Sequence, residues 1–332
     1  MGAGARGESL SKPVLMDADT AGDDVTSMLF ALKSSELDLV AVTVVAGNIY
    51  LDQAVENTLY TCEIAGRSDV PVHAGADRPL MRELVTAHYV HGEDGVGNSN
   101  FPTAKKRVES QHAVDAIVDH ANRHPGELEI IAQAPLTNVA LALARDPDLP
   151  SKIKRMWIMG GANNFMGNVT PAAEFNFYVD PEAAHIVINA GFKTTLVPWD
   201  VCLKDGILYG DELRPIEEMR STLSEFYLSV NRAAREFIRA EYDVDGISHP
   251  DAIMTAMVID EEMIAERGHW HVDVEYRSDL TSGYSVVDTL GVMQKGRAGS
   301  RVPGEGREPN ADVVVRADKE RFKQMLAQVL AS

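Results

Sequence analysis

The sequence contains few cysteines, no long uninterrupted hydrophobic stretch and a shortage of basic residues. Its 332 residues include only two cysteines, Cys62 and Cys202, which argues against a disulfide-stabilised scaffold and a cysteine-built zinc site. No uncharged stretch approaches the roughly 18 residues that a membrane-spanning helix needs, and the first dozen residues lack the apolar run of a secretion signal. We therefore expect a globular protein in the reducing cytoplasm.

The charge balance argues against two classes of partner. Lysine and arginine number 31 against 50 aspartates and glutamates, which gives a formal net charge of -19. A chain of this sign repels the phosphates of nucleic acids and the head groups of an anionic membrane. We expect neither nucleic acid nor a membrane as a partner.

Apolar segments alternate with amphipathic segments along most of the chain, and hydrophobic residues make up 45% of it, enough for a large core. Apolar runs that end at turn residues predict buried strands, and apolar positions at helical spacing between them predict helices. This order predicts an α/β fold with a doubly wound, mostly parallel central sheet flanked by helices. The predicted strands are 14–16, 39–46, 70–72, 128–132, 156–159 and 194–197, followed by late strands at 271–276 and 313–315.

The C-terminal part of the chain is predicted to be more helical. Apolar residues recur at helical spacing over 211–242, and a closing helix is expected over 319–330. Residues 296–310 are rich in Gly, Pro and Arg, which indicates a solvent-exposed loop. No linker divides the chain, so we expect one domain over 13–332 after a flexible tail of residues 1–12.

The densest chemical signal is the acidic turn 17–24 (DADTAGDD), which lies between the first predicted strand and the first predicted helix. Open α/β sheets bind ligands at this carboxyl edge. Four carboxylates within eight residues repel one another unless a cation, a proton or strong hydrogen bonding intervenes. Helix capping explains one or two of them but not four. Carboxylates are natural ligands of a hard cation such as Ca²⁺.

Further polar residues follow other predicted strands and converge on the same edge. Each alone is more often a turn or cap residue than a ligand. Together, many hydrogen-bonding groups around a cation suit a polyhydroxylated substrate. They are Asn48, Thr137 and Asn138, Asn163 and Asn164, Asn168, Glu174 and Asn176, and Asp200.

Two histidines and a late aspartate are further candidates. His91 lies in a polar, glycine-bearing stretch, and it is a candidate proton donor although a surface loop is the simpler interpretation. His249 and Asp251 flank Pro250 just before a helical run, where Asp251 is either a helix cap or a distant ligand of the cation.

The sequence resembles the calcium-dependent nucleoside hydrolase family of the inosine-uridine-preferring type over nearly its whole length, from about Pro13 to the C-terminal helix. The acidic turn resembles the family signature DxDxxxDD, although Thr20 and Ala21 stand where Pro-Gly is common. The other matching segments occur in the expected order. They are 46–48 (AGN), 91–95 (HGEDG), 134–138 (APLTN), 159–161 (MGG), 167–176 (GNVTPAAEFN) and 179–184 (VDPEAA).

The resemblance implies hydrolysis of the N-glycosidic bond of ribonucleosides to free base and ribose. It implies that Asp19, Asp24, Asp251 and the carbonyl of Thr137 hold Ca²⁺, and that Asp19 takes a proton from a calcium-held water that attacks the sugar. Asp17 is then a supporting residue behind these ligands. The residues implied to contact the ribonucleoside are Asp23, Asn48, Met159, Asn168, Glu174 and Asn176. A homodimer or homotetramer is also implied.

One position departs from the family pattern and bears on how the base leaves. Many members carry His or Trp directly before the late calcium aspartate, whereas this chain has Pro250, which neither donates a proton nor stacks as an aromatic ring. His91, His249, Tyr227 and Tyr242 are candidates to compensate. The preferred base stays open.

Two alternative functions remain at this point. Residues 14–20 (VLMDADT) also fit the opening motif of a haloacid dehalogenase-type phosphatase, in which Asp17 is the nucleophile and Mg²⁺ the metal. That reading lacks a convincing phosphate-binding lysine and leaves Asp24 and Asn168 without a role. The other alternative is a calcium-dependent protein that binds nucleosides or sugars without catalysis.

Overall fold

A computed structural model describes residues 11–295 and 306–332. The predicted tail over residues 1–12 and the predicted loop over 296–310 therefore lie largely outside the described residues. The first strand begins at Lys12, and no helix in the described part of the chain is long and apolar enough to cross a membrane.

The strands are named in chain order within the described residues. They are β1 (Lys12–Ala18), β2 (Leu37–Val44), β3 (Val72–Ala74), β4 (Glu129–Ala132), β5 (Arg155–Met159), β6 (Thr194–Val197), β7 (Ile207–Tyr209), β8 (Gly246–Ser248), β9 (Ile264–Trp270), β10 (Val272–Val274), β11 (Ser285–Val287) and β12 (Ala311–Ala317).

The helices are named in the same way. They are α1 (Gly22–Lys33), α2 (Leu51–Ile64), α3 (His88–His91), α4 (Ala113–Arg123), α5 (Thr137–Arg145), α6 (Leu149–Lys152), α7 (Phe175–Val179), α8 (Pro181–Ile188), α9 (Trp199–Val201), α10 (Gly210–Met219), α11 (Thr222–Val230), α12 (Arg232–Tyr242), α13 (Pro250–Ile259), α14 (Val292–Lys295) and α15 (Lys319–Ala331). A π-helical turn spans Cys202–Gly206, and a 3₁₀ turn spans Glu261–Met263.

Eight of these strands form the central sheet, in the order β3-β2-β1-β4-β5-β6-β12-β9. All neighbours pair in parallel except β12 and β9, which are antiparallel. The predicted α/β fold with a mostly parallel central sheet is confirmed. The chain winds outward from β1 through β2 to β3, then continues on the other side of β1 with β4, so β1 lies at the point where the winding reverses.

Side chains of the central strands alternate between two hydrophobic layers. Val14 and Met16 of β1 pack into one core cluster with α1, α13 and α15, whereas Leu15 packs into a second cluster with α4, α5 and α8. Such alternation follows from the two-residue period of a strand. Both faces of the sheet are therefore covered by helices, and its carboxyl edge is left for polar groups.

Three strand pairs fall outside the sequence predictions or only partly match them. β9 has the sequence IAERGHW and is largely exposed, so it lacks the apolar pattern of a buried strand. β7 and β8, of three residues each, form a separate two-stranded sheet. β10 lies within the predicted segment 271–276 and pairs with β11, where no strand was predicted. Short or exposed strands are held by their pairing partners more than by their own composition.

Candidate active site

The acidic turn leaves β1 and enters α1 at the reversal point of the sheet. Asp17, Asp19 and Asp24 are fully buried, and Asp23 retains partial exposure. Asp24 accepts a hydrogen bond from the main-chain nitrogen of Ala21 at 3.1 Å, which satisfies one of the free N–H groups at the start of α1. Capping thus accounts for one oxygen of Asp24 and leaves the other carboxylates to be explained.

The loop after β2 fixes the position of Asp19. The main-chain nitrogen of Asn48 donates to Asp19 Oδ2, and its side-chain nitrogen donates to Asp19 Oδ1 at 3.4 Å and to Asp24 Oδ2 at 3.3 Å. A Cβ on Gly47 would lie 2.1 Å from Asp19 Oδ2. The loop therefore needs glycine at residue 47 to approach the carboxylate this closely.

Asp251 reaches the same place from the first turn of α13. One oxygen each of Asp23, Asp24 and Asp251 lie within 4.8 Å of one another. We call these three residues together with Asp19 the carboxylate cluster. Burial raises the pKa of Asp24 to about 7, and burial followed by the charges of Asp23 and Asp24 raises the pKa of Asp251 well above its usual range.

Three features of the site indicate that the carboxylate cluster fits a divalent cation. Asp23 Oδ1 is buried and has no hydrogen-bond partner, and Asp19 has its pKa raised by burial and by the charge of Asp24. No lysine or arginine lines the adjacent cavity within the described ranges. Carboxylate oxygens prefer hard cations, so the charge repulsion and the donor set point to the same kind of ligand.

The adjacent cavity has a volume of about 290 Å³ and opens beside the carboxylate cluster. A cavity of this size suits a small organic molecule. All the residues that the resemblance implies for substrate contact line it, together with Asp251 and His91. They are Asp23, Asn48, Met159, Asn168, Glu174 and Asn176.

The segment around α7 supplies three of these residues. Glu174 caps α7, accepting from the main-chain nitrogens of Asn176 and Phe177 and from that of Gly161 at 2.8 Å. Burial raises its pKa to about 7. The side chain of Asn176 donates to the main-chain oxygen of Met159 at 3.2 Å, and Asn168 accepts from the nitrogen of Phe175 at 2.9 Å. These bonds hold the polar wall of the cavity in place.

Asp17 lies behind the cluster and does not line the cavity. Thr43 and Asn138 donate to Asp17 Oδ1 at 2.6 and 2.8 Å, and burial raises the pKa of Asp17 to about 6. The side-chain oxygen of Asn138 accepts from the nitrogen of Ala76 at 2.9 Å. Asp17 and Asn138 thereby join β1, β2 and α5 beneath the site.

The structure does not bring Thr137 to the cavity. Thr137 is the first residue of α5, and its hydroxyl donates to Asp180 at 2.6 Å. Gln133, which follows β4 directly, lines the cavity instead, and its main-chain oxygen accepts from Asn176 at 3.3 Å. Its side chain also donates to Asp24 Oδ1 at 2.8 Å. Gln133 was not among the residues predicted from the sequence, although a polar residue at the carboxyl end of an apolar strand was a usable signal.

The two candidate histidines have different surroundings. His91 lines the cavity, its Nδ1 has no hydrogen-bond partner and lies 3.8 Å from Asp23 Oδ1, and burial lowers its pKa. His249 is not among the cavity residues. Its Nδ1 lies 2.9 Å from the Gly206 carbonyl and its Nε2 lies 2.7 Å from the Tyr227 hydroxyl.

The hydrogen bonds of His249 define its protonation. A carbonyl only accepts, so Nδ1 carries the proton and Nε2 accepts from the Tyr227 hydroxyl. Burial lowers the pKa of His249 to about 4, in keeping with this neutral form. Both nitrogens are thus occupied away from the cavity, as is the hydroxyl of Tyr227. Of the sequence candidates for contact with the leaving base, the geometry brings only His91 and Tyr242 to the cavity.

The comparisons with known proteins agree with this arrangement. The family described as inosine-uridine preferring nucleoside hydrolase matches residues 14–324. The pyrimidine-specific ribonucleoside hydrolase RihA of Citrobacter koseri is 35% identical over 328 residues, covering 97% of this chain and 99% of RihA.

Solved structures show the same likeness. A plant nucleoside hydrolase, the PpNRh1 enzyme, has a TM-score of 0.88 at 30% identity, covering 97% of this chain and 99% of that one. An inosine-guanosine nucleoside hydrolase has a TM-score of 0.86 at 28% identity, with the same coverage of 97% and 99%. These findings support neither the phosphatase nor the non-enzymatic alternative. The chain belongs to the inosine-uridine preferring nucleoside hydrolase family and is an N-ribohydrolase, an enzyme that cleaves the N-glycosidic bond of ribonucleosides to free base and ribose.

Proposed function

We propose that the carboxylate cluster activates water for attack on the anomeric carbon of the ribose, with Asp19 as the general base. The observation that carries this proposal is the carboxylate cluster itself, of which Asp23 and Asp251 line a cavity of suitable size. Asn48 holds both oxygens of Asp19, so the carboxylate keeps a fixed direction. A carboxylate held in a fixed direction is well placed to accept a proton from a water beside it.

Asp19, Asp24 and Asp251 would hold a divalent cation, and calcium is the cation that we propose. Asp23 has an oxygen in the same cluster, and we assign it to contact with the ribose hydroxyls as well. We assign the main-chain oxygen of Gln133 to the position first expected for Thr137, because Gln133 lines the cavity. When bound, such a cation supplies positive charge that lowers the pKa of a water and orients the sugar.

The polar wall of the cavity would bind the ribose. Asn48, Asn168 and Asn176 offer amide groups, and Glu174 offers a carboxylate whose oxygens are already oriented by main-chain N–H groups. Carboxylates near the anomeric carbon favour a transition state with positive charge on the sugar over the neutral substrate. His91 is the proposed proton donor or hydrogen-bond partner of the departing base.

A chromatographic assay for free base tests this function. The purified enzyme is incubated with uridine, cytidine, inosine, guanosine and adenosine, the first two because RihA is named for pyrimidines and the next two because of the inosine-guanosine relative. We expect release of base from at least one ribonucleoside, loss of that release in excess chelator, and recovery on addition of Ca²⁺.

Two controls make the assay specific. The matching 2′-deoxyribonucleosides should react far more slowly, because the proposed contacts to the ribose hydroxyls are reduced. Turnover that persists undiminished after prolonged chelation, with no metal detected by elemental analysis, would remove the cation from the proposal.

The homodimer or homotetramer and the cytoplasmic location stay predictions.

A further inference from the structure

A series of buried hydrogen bonds connects the two helices that carry Asp24 and Asp251. The Ser27 hydroxyl of α1 lies 2.6 Å from Gln133 Oε1 and 2.7 Å from the Thr255 hydroxyl of α13. The side-chain nitrogen of Gln133 then donates to Asp24 Oδ1 at 2.8 Å. We call Ser27, Gln133 and Thr255 the buried polar network, since none of the three is more than 1% exposed.

The hydrogen bonds of the network run in one direction. The amide oxygen of Gln133 only accepts, so Ser27 donates its single hydroxyl proton to it. The Ser27 oxygen is left to accept, and the Thr255 hydroxyl therefore donates to Ser27. The series ends in an N–H group of Gln133 directed at Asp24. A donor directed at a carboxylate makes a charge-assisted hydrogen bond, which is stronger than a neutral one.

The network shares its helix faces with the carboxylate cluster. Ser27 follows Asp24 by three residues in α1, and Thr255 follows Asp251 by four residues in α13. Residues at these spacings lie on the same face of a helix. The bond between Ser27 and Thr255 therefore joins the two helices one turn beyond the two carboxylates.

The surroundings of the network are largely apolar. Helices α1 and α13 pack against each other, and both contribute buried side chains such as Met28, Leu29, Ala252 and Met257 to one hydrophobic cluster. A hydroxyl pair in such a contact costs free energy unless both hydroxyls are hydrogen-bonded, whereas apolar residues of similar shape avoid that cost. Packing alone therefore does not account for the network, and the carboxylate at its end does.

The main chain of Gln133 is held independently of its side chain. Its nitrogen donates to the Asp17 oxygen at 3.0 Å, and its oxygen accepts from the Asn176 side chain at 3.3 Å. The sheet and the polar wall of the cavity thus fix the backbone at this residue. Replacement of the side chain leaves the main-chain oxygen in the sequence and removes only the bonds to Asp24 and Ser27.

We propose that the buried polar network positions Asp24 and Asp251 for a divalent cation and thereby sets the affinity of the carboxylate cluster for that cation. This inference rests on the proposed function, in which both aspartates hold the cation. Gln133 fixes the direction of Asp24, and the bond between Ser27 and Thr255 fixes the spacing of α1 and α13. Residues that orient metal ligands contribute about 10- to 100-fold to metal affinity.

Calcium binding to the full-length enzyme tests the network without requiring turnover. The enzyme is freed of metal with chelator, exchanged into metal-free buffer and titrated with Ca²⁺ in a calorimeter. We expect Gln133→Met to raise the Kd for Ca²⁺ roughly 10- to 100-fold, because methionine fills a similar space but donates no hydrogen bond to Asp24. The Ca²⁺ concentration that gives half-maximal base release should rise in parallel.

A pair of substitutions tests the far end of the network. Thr255→Val keeps the shape of the side chain and removes the hydroxyl, and we expect it to raise the Kd for Ca²⁺ roughly 3- to 10-fold. Thr255→Ser keeps the hydroxyl and should recover most of the loss. Thr61→Val is the matched control, because Thr61 is also fully buried in a helix but its hydroxyl donates to the Asn57 carbonyl. It should keep the wild-type Kd.

Thermal unfolding separates cation positioning from a packing role. Each variant is heated once in chelator and once in excess Ca²⁺. A ligand that binds only the folded protein raises the unfolding temperature by an amount that depends on its affinity. A packing role alone lowers both temperatures equally, whereas we expect Gln133→Met and Thr255→Val to reduce the rise that Ca²⁺ gives.

The outcomes distinguish the network from the reaction. An unchanged Kd for Ca²⁺ in Gln133→Met, or an equal loss of affinity in Thr255→Val and Thr255→Ser, overturns the network alone. A wild-type enzyme that binds no Ca²⁺ overturns both the network and the cation of the proposed function. An enzyme whose Ca²⁺ binding depends on Gln133 and Thr255 but that releases no base supports the network, while the proposed function fails.

Discussion

The carboxylate cluster and the aromatic clasp lie at one cavity but consist of different kinds of side chain. The clasp consists of three aromatic side chains that line the cavity, those of Tyr89, Phe237 and Tyr242. The cluster gathers carboxylates from the turn after β1, from α1 and from α13, and Asn48 and Gln133 hydrogen-bond to Asp19 and Asp24 from the segments that follow β2 and β4. The clasp gathers half-exposed rings from α3 and α12, and ring packing connects its halves. The cluster is anchored in the sheet, whereas the clasp rests on a few surface contacts.

The two regions show how one enzyme can separate the groups that act on the sugar from the groups that select the leaving base. Groups that act on the sugar need fixed directions, which buried strand ends and helix starts provide. Groups that bind a base need a large contact area more than a fixed direction. Helices at the edge of the fold provide this contact area. Changes in the clasp should therefore alter substrate preference, while changes in the cluster should stop the reaction.

The largest effect is expected for Asp19. Asp19→Asn keeps the size of the side chain but removes the proton acceptor, and we expect kcat to fall at least roughly 10³-fold, within the contribution of a general base and cation ligand. Base release measured by chromatography gives the rate. Asp205→Asn is the matched control, because Asp205 is also buried but pairs with Arg316 away from the cavity. Turnover of Asp19→Asn near the wild-type rate would remove Asp19 from the mechanism.

An intermediate effect is expected for the two histidines, His91 and His249. Comparing them shows which of the two belongs to the site. His91→Gln should lower kcat by roughly 10²-fold for nucleosides, because His91 faces the cavity with a free nitrogen. His249→Gln should stay within about threefold of wild type, because the amide can keep the bonds to Tyr227 and Gly206. Steady-state kinetics on one nucleoside compares them. The reverse order of effects would show that His249 acts on the leaving base.

The smallest effect is a pH dependence of stability that belongs to the polar wall and not to the clasp. Burial raises the pKa of Glu174 from 4.5 to about 7 in the folded protein. The contribution of Glu174 to the unfolding free energy is complete below pH 4.5 and is lost as the pH rises through 7, by about 3 kcal/mol at most. Protonation favours the fold because the buried carboxyl is then neutral.

Urea unfolding in chelator at pH values from 5 to 8 measures this contribution. The difference between Glu174→Gln and wild type should change with pH over that window, because the variant lacks the titrating group. Phe237→Ala should follow the wild-type pH dependence with a constant offset, because the clasp contains no carboxylate. A Glu174→Gln curve parallel to that of the wild type would show that Glu174 does not carry the raised pKa.

The order of the strands and helices and the acidic residues of the site could be predicted from the sequence. Buried parallel strands have a composition that differs from their surroundings, so β1, β2, β4, β5 and β6 stood out as apolar runs. Strand ends in such a fold meet at one edge, which is why Asp19, Asn48 and Glu174 were expected together. The resemblance to a family then supplied the assignment of Asp251, which lies far along the chain.

The fold alone determines which residue of each of two pairs faces the cavity. Thr137 and Gln133 both follow β4, and His91 and His249 are both histidines beside glycine or proline, but the path of the backbone turns one of each pair inward. Tyr242 was a candidate from the sequence, but the contact between Tyr89 and Phe237 had no signal there, because α3 and α12 are about 140 residues apart and meet only through packing. Sequence periodicity records which face of an element is apolar, whereas the contacts between distant elements exist only once the chain has folded.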